Sequence, residues 1–243
     1  MKNTWKWRRG EYNVRVKDFK VELCERKEIK DFIEKWHYSK SINGLMSDYC
    51  FKLTYNGEII GAMIYGGLGM ANVWKKYTEK KEDILELRRL CCIDNTPKNT
   101  ESYFIAKTLK WLLRNTNVKM VISYADPEYG HKGIIYKASN FKYLGRTAKG
   151  RIIIYNGKRY HDKAIRTKYK GELKPFAREL KKALENGQAY YKETEGKHIY
   201  LYDLEERRKN RRNEMSKEMV YDEKNVYIRE NDQNTGRRKT ASC

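Results

Sequence analysis

The order of elements around Asn56-Gly57 most constrains what this chain can fold into. Phe51, Leu53 and Tyr55 alternate with polar residues up to that dipeptide, and Ile59, Ile60, Ala62 and Ile64 return from it. Asn-Gly suits a two-residue turn in which both residues take positive φ, so residues 50–65 are predicted to form an antiparallel hairpin. A helix precedes it, because Ile29, Phe32, Ile33 and Trp36 recur at helical spacing within residues 25–36. A glycine-rich loop follows (Gly66, Gly67, Gly69), then an apolar strand from Ile84 to Ile93. A helix starts near Thr100 or Ser102 and runs through Phe104, Ile105, Leu109, Leu112 and Leu113; a short buried strand follows from Val118 to Tyr124. Residues 133–139 read as a short helix, Phe141–Leu144 as a strand, and Asn156-Gly157 as the turn of a second hairpin. A doubly wound nucleotide fold alternates strand and helix from its first element, and this chain does not. The prediction is an α/β fold with one mixed sheet flanked by helices.

That order resembles the GCN5-related N-acetyltransferase (GNAT, acyl-CoA N-acyltransferase) superfamily. There the central strand and the helix after it hold the pyrophosphate of acetyl-CoA, as the open N–H groups and positive dipole of a helix start permit. Ordinary members carry an Arg/Gln-x-x-Gly-x-Gly loop before that helix. Here the loop reads Cys92-Ile93-Asp94-Asn95-Thr96-Pro97-Lys98-Asn99-Thr100, without glycine, so Lys98 and the capping hydroxyls have to compensate. Three segments are expected: a basic and aromatic N-terminal arm over residues 1–20 (Trp5, Trp7, Arg8, Arg9), a GNAT-like catalytic domain over 21–203, and a charged, basic C-terminal extension over 204–243. Within the domain, Phe176, Leu180 and Leu184 mark one more amphipathic helix ending at Gly187, and Ile199–Leu204 a last strand.

The formal net charge of +21 calls for a polyanionic partner, with nucleic acid as the first choice. Arg207, Arg208, Arg211 and Arg212 of the extension are candidates for phosphate contacts. Five cysteines without a C-x-x-C pair suggest neither a zinc site nor a disulfide framework. With no signal-peptide-like stretch and no membrane-spanning run, a cytoplasmic protein is expected.

The densest polar cluster is Ser123-Tyr124-Ala125-Asp126-Pro127-Glu128-Tyr129-Gly130-His131, placed where an apolar strand stops. Ligands gather at the carboxyl ends of strands in open α/β sheets. Asp before Pro is also an ordinary turn former. His131, Tyr136 and the distant pair His37-Tyr38 bring further titratable groups toward such a place. These segments resemble the Mom family of bacteriophage DNA-modification proteins. The matching pieces are His37-Tyr38-Ser39, Leu87-Arg88-Arg89-Leu90, Ser123 through Pro127 with Gly130-His131, Gly133 and Ile135-Tyr136, then Ala138, Asn140-Phe141, Tyr143-Leu144-Gly145, and finally Lys197-His198-Ile199-Tyr200. Together they span roughly residues 30–203.

The resemblance implies transfer of a carbamoylmethyl group onto the exocyclic amine of adenine in double-stranded or locally opened DNA, which shields phage DNA from restriction. It implies acetyl-CoA as cofactor, and iron. The family's essential His-Tyr pair falls on His37 and Tyr38, its Asp on Asp126 and its later Tyr on Tyr136. Cofactor contacts fall on Arg88 or Arg89 and on Ser102. For iron, His37 and Asp126 lack the second His of the common facial triad, and His131 is the candidate for that place. A buried adenine amine further requires base flipping, with Tyr38 and Tyr129 as stacking candidates. Three other readings stay open. They are a DNA adenine methyltransferase, suggested by Asp126-Pro127-Glu128-Tyr129; an ordinary N-acetyltransferase; and a noncatalytic nucleic-acid-binding module.

Overall fold

The structure, a computed structural model, describes residues 14–213. Residues 1–13 of the expected N-terminal arm and 214–243 of the expected extension lie outside the described residues. In chain order the main elements are β1 (Lys20–Cys24), α1 (Arg26–Trp36), β2 (Tyr49–Tyr55), β3 (Glu58–Gly66), β4 (Ile84–Cys92), α2 (Thr100–Asn115), β5 (Met120–Ala125), α3 (Ile134–Ala138) and β6 (Lys142–Arg146). They continue with β7 (Gly150–Tyr155), β8 (Lys158–His161), β9 (Lys168–Tyr169), β10 (Glu172–Leu173), α4 (Pro175–Glu185), β11 (Ala189–Thr194) and β12 (His198–Asp203), and a helix occupies 204–213.

Seven strands form one sheet in the order β1-β2-β3-β4-β5-β12-β6. Only β4 and β5 run parallel; every other neighbouring pair is antiparallel. The sheet is mixed and flanked by helices, as expected. Asn56 and Gly57 take φ of +50° and +84° at the β2–β3 turn, the geometry the dipeptide predicts.

Alternation along β3 divides the core between the two faces of the sheet. Met63 and Tyr65 pack with Phe104, Ile105, Leu109 and Leu112 of α2, while Ala62 and Ile64 pack with Ile29 and Ile33 of α1. Helix α1 therefore covers one face and α2 the other. Ile29 and Ile33 are fully buried, and each contributes about 1.5–3 kcal/mol of burial free energy. Gly133, at φ +69°, starts α3 where a Cβ would stand 2.2 Å from the Tyr200 ring, so only glycine lets α3 sit against β12.

Two features escape the sequence pattern. Strand β1 is a short edge strand whose residues are mostly exposed, so its alternation carries little signal. Residues 147–197, between β6 and β12, build a unit of their own. Its sheet runs in the order β11-β7-β8, and α4 packs on it through Ile153, Leu180, Ala183 and Ala189. The chain then returns as β12 between β5 and β6, which places Lys197 and His198 beside the end of β5.

Candidate active site

Strands β4 and β5 keep register over three pairs only, from Ile84↔Met120 to Glu86↔Ile122, although β4 continues to Cys92 and β5 to Ala125. The β3–β4 register shifts between Ile64↔Arg89 and Tyr65↔Leu87, so Arg88 is the extra residue of a bulge. A bulge bends its strand, and beyond it the two parallel strands part. The Ser123 hydroxyl spans the opening and donates to the Leu87 carbonyl at 3.3 Å. From the α2 face, Tyr136 of α3 hydrogen-bonds the Ser123 side chain. Burial pushes the Tyr136 phenol up to about 12, against a smaller opposing effect of that hydrogen bond. It stays protonated at neutral pH and can donate a proton.

On the α1 side, four rings meet. His37, the C-cap of α1, lies 4.2 Å from Tyr38 between ring centroids; Tyr38 lies 4.3 Å from Tyr129 and 5.2 Å from His131. His37 is buried, its Nδ1 accepts the Ser39 backbone N–H at 3.0 Å, and the Ser39 hydroxyl is 2.8 Å away. Desolvation, followed by the nearby Arg89 charge, pulls its imidazole down to about 3. A neutral ring with Nδ1 accepting carries its proton on Nε2, where it can donate.

Asp126 is buried at the end of β5. Its Oδ1 accepts the Glu128 N–H at 3.1 Å and caps the turn Pro127–Tyr129, while Oδ2 faces Lys197 Nζ at 3.2 Å. The inserted sheet leans on the same loop. Glu128 pairs with Arg159 at 3.6 Å and Lys192 at 3.5 Å, and the Arg159 guanidinium lies 4.9 Å above the Tyr129 ring.

The structure thus brings His37, Tyr38, Asp126 and His131 to one place, with Tyr136 reaching the same opening from the opposite face. The other expected residues are spent differently. Arg88 donates to the Gly67 carbonyl at 2.7 Å and stands 3.7 Å from Glu86. Arg89 donates to the Arg88 carbonyl at 2.7 Å and the Ser41 carbonyl at 3.3 Å. Both hold backbone, and neither makes a hydrogen bond or ion pair with the first turn of α2, where Ser102 lies. The two tyrosines expected to stack on a base pack against each other, their rings tilted by 38°. Arg208, expected on phosphate, donates to the carbonyls of Leu113, Thr116 and Val118 at 3.2, 2.7 and 2.7 Å.

The described residues do not support the iron expectation. Among the described residues no three His, Cys, Asp or Glu side chains converge as a metal would require. The Tyr38 ring packs on both His37 and His131, and both Asp126 oxygens are engaged, so these three are not arranged to hold the ion. An acyl-CoA fits better. Asn99 takes φ +71° before α2, and no side chain caps that helix. Thr100 and Ser102 turn their hydroxyls to the Pro97 and Asn99 carbonyls at 2.7 and 3.0 Å, which leaves first-turn N–H groups open to an anion. The residues that sequence reasoning missed are Glu86, which accepts the Gly69 N–H at 3.0 Å and fixes the glycine loop, and the trio Glu128, Arg159 and Lys192. Arg159 and Lys192 come from the insert, and nothing in their local sequence points to Glu128.

A mixed sheet that parts at its one parallel pair, with titratable and aromatic groups gathered at the gap, defines an enzyme-like α/β domain. The family model described as the Mom protein family matches residues 18–222, and the chain belongs to that family. It is 27% identical over 150 residues to the methylcarbamoylase Mom of Escherichia phage Mu, covering 60% of this chain and 61% of that relative. The chain thus spans less than two thirds of that relative's length. Similar solved structures include a Bacillus subtilis acetyltransferase in complex with CoA, at TM-score 0.44 and 12% identity over 76% of this chain and 98% of that one. A spermidine N-acetyltransferase from Vibrio cholerae scores 0.43 at 9% identity, over 77% and 95%. No helix among the described residues is long and apolar enough to cross a membrane.

Proposed function

We propose that the protein is a DNA adenine-modifying transferase that places a carbamoylmethyl group on the exocyclic amine of adenine and uses an acyl-CoA donor. The observation that carries this reading is the meeting of His37, Tyr38, Asp126 and His131 at the end of β5, with Tyr136 arriving through the gap beside β4. His37-Tyr38 and the Asp126 block, two of the family's matching segments, lie far apart in sequence and meet in space. When bound, the donor would supply the two-carbon unit, with the open start of α2 holding its phosphates. Because the product joins the amine nitrogen to the methylene carbon and ends in an amide, a two-electron oxidant and an ammonia-level nitrogen donor also take part, the latter displacing the CoA thiol. The acceptor base comes to the α1 side. There the Nε2–H of His37 can orient a base edge, the Asp126 carboxylate can take a proton from the amine, and the aromatic rings exclude water. Tyr136, held protonated, can return a proton to a leaving group. No step is routed through iron, because both Asp126 oxygens are engaged and, among the described residues, no three candidate ligands are arranged to hold an ion.

The test is mass spectrometry of nucleosides from DNA of cells expressing the protein. The expected product is an adenine nucleoside heavier by a carbamoylmethyl group. A gain of one methyl would favour the methyltransferase reading, and unmodified DNA in the presence of folded protein would overturn both.

A further inference from the structure

Alternation through its paired strands sorts the sheet of the insert into two faces. Ile153 and Ala189 pack on α4, so Ile152, Ile154, Arg159, His161, Tyr190 and Lys192 point the other way. Register sets these six in two rows across the sheet: Tyr190, Ile154 and Arg159, then Lys192, Ile152 and His161. Strands β7, β8 and β11 bring no carboxylate to this face, since Glu193 stands opposite Arg151 on the α4 side. Glu128 meets Arg159 and Lys192 from the site loop, and Asp162 meets His161 at the edge. One carboxylate shared by two cations leaves positive charge over. The Tyr190 side chain is exposed, and its ring and hydroxyl have no partner among the described residues. The first row also runs into the site, because the Arg159 guanidinium lies above the Tyr129 ring and Tyr129 packs on Tyr38. An exposed ring set among cations on an open sheet is the combination that holds unpaired nucleic acid, whose bases stack on aromatic rings while cations track the phosphates. A closed duplex hides its base faces and leaves only the cations to act.

We propose that this face of the insert carries the opened DNA strand beside the target adenine, with Tyr190 stacking on a neighbouring base and Arg159 and Lys192 contacting phosphates. The inference rests on the adenine-modification reading above and adds the form of DNA that the protein grips. An amine inside a duplex is reached only once the base leaves the stack. A surface that holds the strand flanking the extruded base stabilises that opened form, and this one is continuous with the His37–Tyr38 cluster through Tyr129.

The test is fluorescence anisotropy of the full chain with a labelled single strand containing one adenine and with the same strand in a fully paired duplex. The wild type is expected to bind the single strand roughly tenfold more tightly than the duplex. Tyr190→Ala is expected to lose roughly tenfold in single-strand affinity, the effect of one lost stacking contact, with duplex affinity and melting temperature unchanged. Tyr190→Phe keeps the ring and is expected to bind as the wild type does. Lys192→Gln is expected to flatten the single-strand salt slope by about 0.7, the loss of one phosphate contact. Unchanged single-strand affinity in Tyr190→Ala, or an equal loss in Tyr190→Phe, would overturn the proposal. So would a wild type that prefers the duplex, or equal losses on both DNAs, which would make the face a duplex surface. Any of these beside modified adenine in the DNA of expressing cells would leave the adenine-modification reading intact. A wild type that binds neither DNA and leaves cellular DNA unmodified would remove that reading as well.

Discussion

Lys197 Nζ stands 3.2 Å from Asp126 Oδ2 across the end of β5. The contact exists because β12 pairs antiparallel with β5, with His198 opposite Ala125. Asp126→Asn keeps an oxygen for the Glu128 N–H, so the turn survives while the charge is lost. This variant is expected to lose at least roughly a hundredfold in modification rate, with its melting temperature within a few degrees of wild type. Lys197→Met is expected to lose less, roughly tenfold, since it only releases the carboxylate. A rate assay beside a thermal melt checks both, and an Asp126→Asn variant that merely unfolds would make the residue a turn former.

Much of this arrangement could be read in the sequence. The Asn56-Gly57 hairpin, α1, α2 and the buried β5 follow from turn chemistry and periodicity, which are local. The block from Ser123 to His131 marked the site because a polar run after a buried strand is unusual. The partners of that block were not legible. Lys197 reaches Asp126 only through the return of β12, and Arg159 and Lys192 reach Glu128 only because residues 147–197 fold separately. The directions of Arg88 and Arg89 were not legible for another reason: a bulge at Arg88 breaks the strand alternation, and both guanidinium groups donate to backbone carbonyls.

Tyr129 carries Tyr38 at 4.3 Å and the Arg159 guanidinium at 4.9 Å, so it links the insert to the His37 side. Tyr129→Ala is expected to lower the modification rate and raise the apparent KM for DNA, roughly tenfold in kcat/KM, the effect of one lost stacking contact. The salt dependence of DNA affinity should not change, because no phosphate contact is removed. A changed salt slope would mean the variant had displaced Arg159 and Lys192 as well.

His37 makes folding stability depend on pH with a definite sign. Its folded pKa is about 3, below the ordinary 6.5, because burial and Arg89 disfavour the imidazolium. The unfolded chain therefore binds the extra proton between those values. The contribution is fully present above pH 6.5 and is lost as pH falls toward 3, with a slope of up to about 1.4 kcal/mol per pH unit. Denaturant melts at pH 7 and pH 5 should show a smaller pH-dependent loss for His37→Gln than for wild type, whatever their absolute stabilities. Equal losses would mean that the folded protein already protonates His37.

Arg208 spends its guanidinium on the carbonyls of Leu113, Thr116 and Val118, the last turn of α2 and the loop into β5. Carbonyls at a helix end lack intrahelical donors, and a cation there also meets the negative end of the dipole. The side chain is desolvated enough to lower its own pKa, with Arg212 adding to the shift. Arg208→Met keeps most of the apolar stem and removes every donor. The expected cost is about 2–3 kcal/mol, from charge-assisted hydrogen bonds lost and carbonyls left poorly paired. For a domain of this size that is a fall of roughly 5–10 °C in melting temperature. Arg208→Lys should fall between, because an ammonium cannot serve three spread carbonyls as a planar fork does. DNA affinity and its salt slope should be unchanged in both variants under conditions where they are folded. The opposite pattern, an unchanged melt with a shallower salt slope, would return Arg208 to the phosphate-binding role that its basic neighbours suggest.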